Sequence, residues 1–331
     1  MAEEISQRIS QRVSQGVSQG VSPDPVPNPA AVVTADWLLD HLDDPGVAIA
    51  DCRFSLMEPD LGRQQYYQGH IPGAVYFDLN ADLSGPVQRH GGRHPLPHPD
   101  ALAQTLAAAG ITRGETWVIA YDDSRLGFAS RFWWLLRYLG HDRVAVLDGG
   151  FAHWQAAGYP VTAATAPSTP RQAGQFVPAL RPEMVVDIET VKRRKDRAGV
   201  VLVDSREGDR YRGEREPIDP IAGHIPGAVN YPWQGVTDDR GRVLSVEVQR
   251  QRWQDLSKTK TNADTNADTN TDTNEIDEVE EIIVYCGSGV TACVNLLSLE
   301  MAGRGSQSKL YAGSWSDWCS YLVDESGTPP G

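Results

Sequence analysis

The sequence predicts an α/β protein of two tandem domains, each a mainly parallel sheet flanked by helices on both faces. Three observations carry this. Seven residues, Gly69-His70-Ile71-Pro72-Gly73-Ala74-Val75, recur unchanged from Gly223 to Val229. Other matches surround each copy in the same order. Short β-branched runs alternate with helical patterns, as parallel strands joined by crossover helices require.

The elements follow in register. Val47-Ala48-Ile49-Ala50-Asp51-Cys52-Arg53 matches Val200-Val201-Leu202-Val203-Asp204-Ser205-Arg206, two strand-like runs closing on Asp-x-Arg. Asp51 precedes His70 by 19 residues, and Asp204 precedes His224 by 20. Ala101–Ala109 and Ser130–Leu139 are helix-like. Val118-Ile119-Ala120-Tyr121-Asp122 matches Ile282-Ile283-Val284-Tyr285-Cys286, and the segment Val146–Trp154 matches Lys309–Trp318. Asp122 precedes Trp154 by 32 residues, the same separation as Cys286 from Trp318. The period is roughly 150 residues, that of a domain duplication and not of a solenoid.

The candidate chemistry sits where the later copy has Cys286-Gly287-Ser288-Gly289-Val290-Thr291-Ala292-Cys293. A buried strand ends at Cys286, and the helical run Val294–Met301 follows. Ligands of parallel sheets bind at such strand ends. Backbone N–H groups and the positive end of a helix dipole favour thiolate over thiol there. Gly287 and Gly289 are expected to take positive φ and fold their amides around the sulfur. Thr291 is placed to cap a free N–H at the start of the helix.

Together, the two halves, the doubled Gly-His-Ile-Pro-Gly-Ala signature and the single Cys-Gly-Ser-Gly-Val-Thr-Ala loop resemble the two-domain rhodanese-type sulfurtransferases. Within that family the nearest type is the 3-mercaptopyruvate sulfurtransferase. The resemblance runs from about Val32 to Leu322 and implies two rhodanese-like domains, over 30–162 and 181–325, joined by a linker at 163–180. It implies that the first domain is catalytically silent, with Asp122 in the place of the cysteine. It also implies that Cys286 carries sulfur as a persulfide from 3-mercaptopyruvate to a thiol or cyanide, releasing pyruvate. The implied partners are a small-molecule sulfur donor and a thiol acceptor such as thioredoxin. No cofactor or metal is implied. The reading requires Cys286 to meet a pocket between the two domains.

The resemblance also assigns substrate contacts. Gly287, Gly289, Val290 and Thr291 line the substrate loop. Thiosulfate-preferring relatives have basic side chains at the positions of Gly287 and Ser288; here the loop is neutral, which suits a donor whose charge lies further from its sulfur. Arg210 matches the family's first substrate arginine and can bind a carboxylate bidentately. No arginine falls in register for the second: Ile218 is nearest, and Arg215 is the available stand-in. Ser288 and His94 match two members of a Ser–His–Asp relay that protonates the departing enolate. The aspartate position falls on Asn80, with Asp78 and Asp82 as neighbours.

Residues present in both copies read as architecture. This covers His70 and His224 beside the Ile-Pro-Gly turns, and the pairs Asp51/Arg53 and Asp204/Arg206. Trp133, Trp134, Trp154, Trp315 and Trp318 read as core and cleft wall. Cys52, Cys293 and Cys319 read as small buried residues.

With 331 residues, 40% of them apolar, the chain can build two cores. Four unevenly spaced cysteines support neither a disulfide framework nor a zinc cluster. The acidic start lacks the apolar core of a secretory signal, and no apolar run approaches the roughly 18 residues of a membrane span. With the reactive cysteine, this suggests the cytoplasm. Residues 1–29, with Ser-Gln repeats and then spaced prolines, are expected to be a disordered tail, and 257–277 a low-complexity surface insertion. Eight of the fourteen excess negative charges lie between Asp264 and Glu281, so the acidity is local and nucleic acid is not an expected partner. A Cys-based phosphatase needs an arginine six residues after the cysteine, where this chain has Ala292. Thiosulfate sulfurtransfer by the same persulfide, and a non-enzymatic rhodanese-domain sensor or binding module, are the alternatives.

Overall fold

The computed structural model describes residues 31–164, 172–254, 256 and 279–324. The tail expected over 1–29 and the insertion expected over 257–277 lie outside the described residues. The first half holds β1 (Val32–Val33), β2 (Val47–Asp51), β3 (Ala74–Tyr76), β4 (Trp117–Tyr121) and β5 (Val144–Leu147), in the order β1-β5-β4-β2-β3. The second holds β6 (Val185–Val186), β7 (Val200–Asp204), β8 (Val229–Asn230), β9 (Glu281–Tyr285) and β10 (Ser308–Tyr311), in the order β6-β10-β9-β7-β8. Every ladder is parallel, and the two sheets have the same topology. These are two α/β domains with helices on both faces.

Strand periodicity decides what faces what, because successive side chains point to opposite faces. Val118 and Ala120 of β4 look inward, to a core that also takes Ile282 and Val284 of β9. Ile119 and Tyr121 look outward to a cluster of the first half only, and Ile283 and Tyr285 to one of the second half only. The inner core runs unbroken through both halves, through the helices Ala129–Tyr138 and Ala292–Met301. Cys286 continues the inward register of Ile282 and Val284, so the strand aims it at the partner domain.

The duplicated residues form duplicated architecture. Arg53 donates to Asp51 at 2.6 Å and to the Gly69 carbonyl at 2.8 Å. Arg206 repeats this with Asp204 and the Gly223 carbonyl, both at 2.6 Å. The Ile71 amide donates to the Tyr121 hydroxyl and the Ile225 amide to that of Tyr285. His70 and His224 stack on Tyr66 and Tyr211 and hydrogen-bond to their carbonyls at 2.7 and 2.8 Å. Each group thus closes the turn that returns the chain to its sheet. Trp133, Trp134, Trp154 and Trp315 are buried, as are the free thiols of Cys52, Cys293 and Cys319. The described part of the expected linker is fastened to the first half: the Gln175 carbonyl accepts from Arg113, and the Ala179 amide donates to Leu139.

Arg53 and Asp51 are 3% and 0% exposed in their side chains. Removing one partner strands a buried charge. Arg53→Met is therefore expected to lower stability to urea by about 3 kcal/mol. A loss below about 1 kcal/mol would show that the pair does not hold the turn to the sheet.

Candidate active site

Strand β9 delivers Cys286 to a loop whose backbone is pinned from behind. The Cys286 carbonyl accepts from the Trp315 amide at 3.0 Å and the Gly287 carbonyl from Ser316 at 2.9 Å. The Cys286 amide donates to Ser314 Oγ at 3.2 Å. Gly289 has φ +76°, and a Cβ there would lie 2.3 Å from the Ala312 carbonyl oxygen, so only glycine fits. Among the described residues, the amides of Gly287, Ser288, Gly289 and Val290 have no hydrogen-bond acceptor.

The first half shows what such a loop holds. Asp122 stands where the second half has Cys286, and its carboxylate is completely buried. Oδ1 accepts from the amides of Ser124 (2.8 Å) and Leu126 (3.0 Å), and Oδ2 from those of Phe128 and Ala129 (both 2.8 Å). Counted from the strand end, Ser124 and Leu126 correspond to Ser288 and Val290, whose amides are unclaimed. Arg125 takes positive φ where the second half has Gly289. Gly150 and Ser314 correspond likewise, at φ +57° and +58°. Both copies therefore build an anion cradle from main-chain donors; one is filled by a side chain of its own.

Ser288 and His94 come together across the domain boundary, with His94 Nδ1 2.8 Å from Ser288 Oγ. Burial first, then the Arg131 and Arg93 cations, push His94 down to about 4, so its imidazole is neutral near pH 7. The aspartate position does not join them. Asn80 is exposed; Asp78 accepts the Asn80 and Ala81 amides, and Asp82 accepts the Asp78 amide. These residues close a turn of their own, and no carboxylate among those described is hydrogen-bonded to His94. The charged groups acting on His94 are instead the Arg131 and Arg93 cations.

Arg210 is buried beside the loop and paired, donating to Glu216 at 2.7 Å and to Asp219 at 3.5 Å. Arg215 does not substitute for a second arginine: it is exposed and bound to Asp209 at 2.6 Å. Ile218 faces solvent. A second guanidinium does reach the loop from the other half, that of Arg93, ion-paired with Asp219. A Cβ on Gly287 would lie 3.1 Å from Arg93 Nη2 and 3.7 Å from both Arg210 Nη1 and Nη2. This corrects the expectation for Gly287: its φ is not positive, and a side chain there would press on the ends of two guanidinium groups. Arg93 adjoins His94 in the sequence, which is the one signal that could have drawn attention to it.

Two further expectations fail. Thr291 makes no capping bond; its backbone is already helical (φ −70°, ψ −15°), whereas a capping residue is extended so that its oxygen can reach back. Cys286 is only 2% exposed. Arg93 and Arg210 lie beside the loop, and the cavity lined by Arg125, Gly149, Gly150 and Arg240 lies at Asp122, not at Cys286.

Residues 34–157 and 187–321 each match the family described as rhodanese-like domain. The chain is 41% identical over 291 residues to a probable 3-mercaptopyruvate sulfurtransferase of Pseudomonas aeruginosa, covering 87% of this chain and 95% of that one. It is 37% identical over 285 residues to a putative thiosulfate sulfurtransferase of Mycobacterium tuberculosis, covering 84% and 89%. The crystal structure of an Escherichia coli 3-mercaptopyruvate sulfurtransferase superposes with a TM-score of 0.69 at 32% identity, covering 87% of this chain and all of that one.

Depressed by burial, His94 binds its proton more weakly in the folded than in the unfolded chain, whose value is about 6.5. Stability is full above that value and falls as pH drops towards 4. Wild type is expected to lose about 2–3 kcal/mol relative to His94→Gln between pH 7 and pH 4. Parallel urea titrations of the two proteins check this, and superimposable pH profiles would remove the buried neutral imidazole.

Proposed function

The chain belongs to the rhodanese-like family, and from that premise we propose that it is a sulfurtransferase moving sulfane sulfur from 3-mercaptopyruvate to a thiol through a persulfide on Cys286. The observation that supports this most is the asymmetry of the two cradles. Four amides grip a fixed carboxylate in the first half, while the matching loop of the second surrounds a cysteine with unclaimed donors.

In this reading the Cys286 thiolate attacks the sulfur of the donor. An S–S bond forms, the C–S bond breaks, and its electron pair stays on carbon as the enolate of pyruvate. Ser288, hydrogen-bonded to neutral His94, relays the proton of the donor's own thiol from the new persulfide to that carbon, leaving the persulfide as its anion, and pyruvate leaves. The amides of Ser288 and Val290 stabilise the persulfide anion. An acceptor thiolate then attacks the outer sulfur and releases the Cys286 thiolate. Gly287, Gly289, Val290 and Thr291 line the path of the donor.

The donor carboxylate is bound by Arg210 and Arg93. The structure is closed over Cys286, so the Arg93–Asp219 pair must part to admit the donor. The donor carboxylate replaces Asp219 as a partner of these cations. The silent domain is residues 30–162 and the catalytic domain 181–325. The acceptor is a thiol of the thioredoxin kind in a reducing, cytoplasmic setting, since a persulfide returns its cysteine only to a thiol or similar nucleophile.

Thiosulfate is the competing donor, named for the Mycobacterium relative. The neutral Gly287-Ser288 pair argues against it, because a compact dianion has no cation on the loop itself. Intact-mass measurement after incubation with 3-mercaptopyruvate is expected to show one added sulfur on Cys286, and none in Cys286→Ser. Absence of the added mass with both donors would leave only a binding module. Ser288→Lys is expected to shift the kcat/KM ratio of the two donors about tenfold or more towards thiosulfate, as an added charge–charge contact worth about 1.4 kcal/mol does. An unchanged ratio removes the loop argument.

A further inference from the structure

Arg131 lies on the helix Ala129–Tyr138 of the first half and is 0% exposed. A buried guanidinium ordinarily has a carboxylate beside it, since an uncompensated buried charge is strongly destabilising. Arg131 makes no ion pair with any described residue. Nη1 donates to the Gly289 carbonyl at 3.1 Å and Nη2 to the His94 carbonyl at 3.1 Å, while Nε has no partner. The same Gly289 oxygen lies 3.5 Å from Cys293 Sγ. One cation thus holds both the Cys286 loop and the residue that meets Ser288.

The other charges around the loop are matched. Arg93 pairs with Asp219 and Arg210 with Glu216. His94 is neutral, and burial pushes the Cys293 thiol up to about 12. Arg131 is left over, and the ionisable groups acting on it are the Cys293 and Cys286 thiols. The duplication adds a second argument. Nine residues past Asp122 stands Arg131; nine past Cys286 stands Asn295, which is neutral, equally buried and bound to Ser205 and the Tyr231 carbonyl. The helix does not need an arginine at this position; only the silent copy, whose helix faces the Cys286 loop, has one.

We propose that Arg131 is the counter-charge of Cys286, a positioning and electrostatic residue by which the silent domain keeps the sulfur of the other domain anionic. The inference rests on the reading of Cys286 as the nucleophile. In a site closed to water a single cation acts strongly. It serves the thiolate and the persulfide alike, because sulfur transfer moves the negative charge to the outer sulfur without changing its sign. Arg131 completes what the loop amides begin and holds the Gly289 carbonyl of that loop.

The test is the pH dependence of iodoacetamide alkylation at Cys286, followed by peptide mass. In Arg131→Met the midpoint is expected to rise by about one pH unit or more, a tenfold loss of thiolate below it. Arg131→Lys, which keeps the charge, is expected to retain most of the wild-type midpoint. A folded Arg131→Met protein with the wild-type midpoint overturns the proposal. If that variant does not fold, the wild-type protein decides. The ¹⁵N resonance of Arg131 Nε is expected to titrate together with Cys286 alkylation and to stop doing so in Cys286→Ser, whereas a resonance flat through that midpoint overturns the proposal. A protein that passes these tests but takes sulfur from neither donor retains the Arg131 assignment and loses the sulfurtransferase reading.

Discussion

Both halves are organised around one electrostatic constraint: the carboxyl end of a central parallel strand presents main-chain N–H groups that need an anion. Parallel topology creates this end, because each strand must hand over to a crossover segment there. In the first half the demand is met within the chain, by Asp122 under four amides. In the second the strand ends at Cys286, and the Gly287, Ser288, Gly289 and Val290 amides have no acceptor among the described residues. The backbone is similar in both, down to the positive φ shared by Gly150 and Ser314, although the Cys293 amide, counterpart of that of Ala129, donates to the Val290 carbonyl. Ser314 tolerates that conformation while its hydroxyl accepts the Cys286 amide and donates to the Tyr311 carbonyl.

The pairing of a filled cradle with an open one explains how a domain without a nucleophile serves the reaction. The inner faces of the two sheets share one apolar core, so the relative position of the halves is set by packing and not by a hinge. Three polar side chains of the first half then reach the second half's loop at fixed places: Arg93 above Gly287, His94 at Ser288 and Arg131 beneath Gly289. Arg125 is tied to the second half in the same way, by Thr237 and the Gln234 carbonyl. The first half has Asp122 where the second has Cys286, and it places two guanidinium groups and an imidazole against the Cys286 loop.

Much of this was legible in the sequence because duplication makes a chain its own control. Residues kept in both copies proved architectural, as at Asp51/Arg53, Asp204/Arg206, His70 and His224. The parity of β9 alone sends Cys286 to the same face as Ile282 and Val284. What was not legible depends on contacts between distant segments. Arg93 and Asp219 are 126 residues apart, and Arg131 and Gly289 are 158 apart. Neither pairing has a local signature. The expectations for Gly287 and Thr291 failed for a related reason. Each was read from local backbone preference, and each position is set by what packs over it or by the pitch of the helix already begun.

The closed state bears on the proposed choice of donor. Asp219 is buried, and burial raises its pKa, opposed by Arg93 and Arg210. A carboxylate-bearing donor that displaces Asp219 from Arg93 exchanges one carboxylate for another and leaves the cations matched. Thiosulfate carries its charge on the sulfonate next to the transferred sulfur, so the same exchange would require that sulfur to sit near Arg93 and Arg210 and away from the Ser288 and Val290 amides. A donor with a spacer between sulfur and carboxylate can instead engage the side-chain cations and the main-chain amides at once. Asp219 also has a function in the closed state, since without it Arg93 would stand beside the loop with no ion-pair partner, whereas Arg210 keeps Glu216.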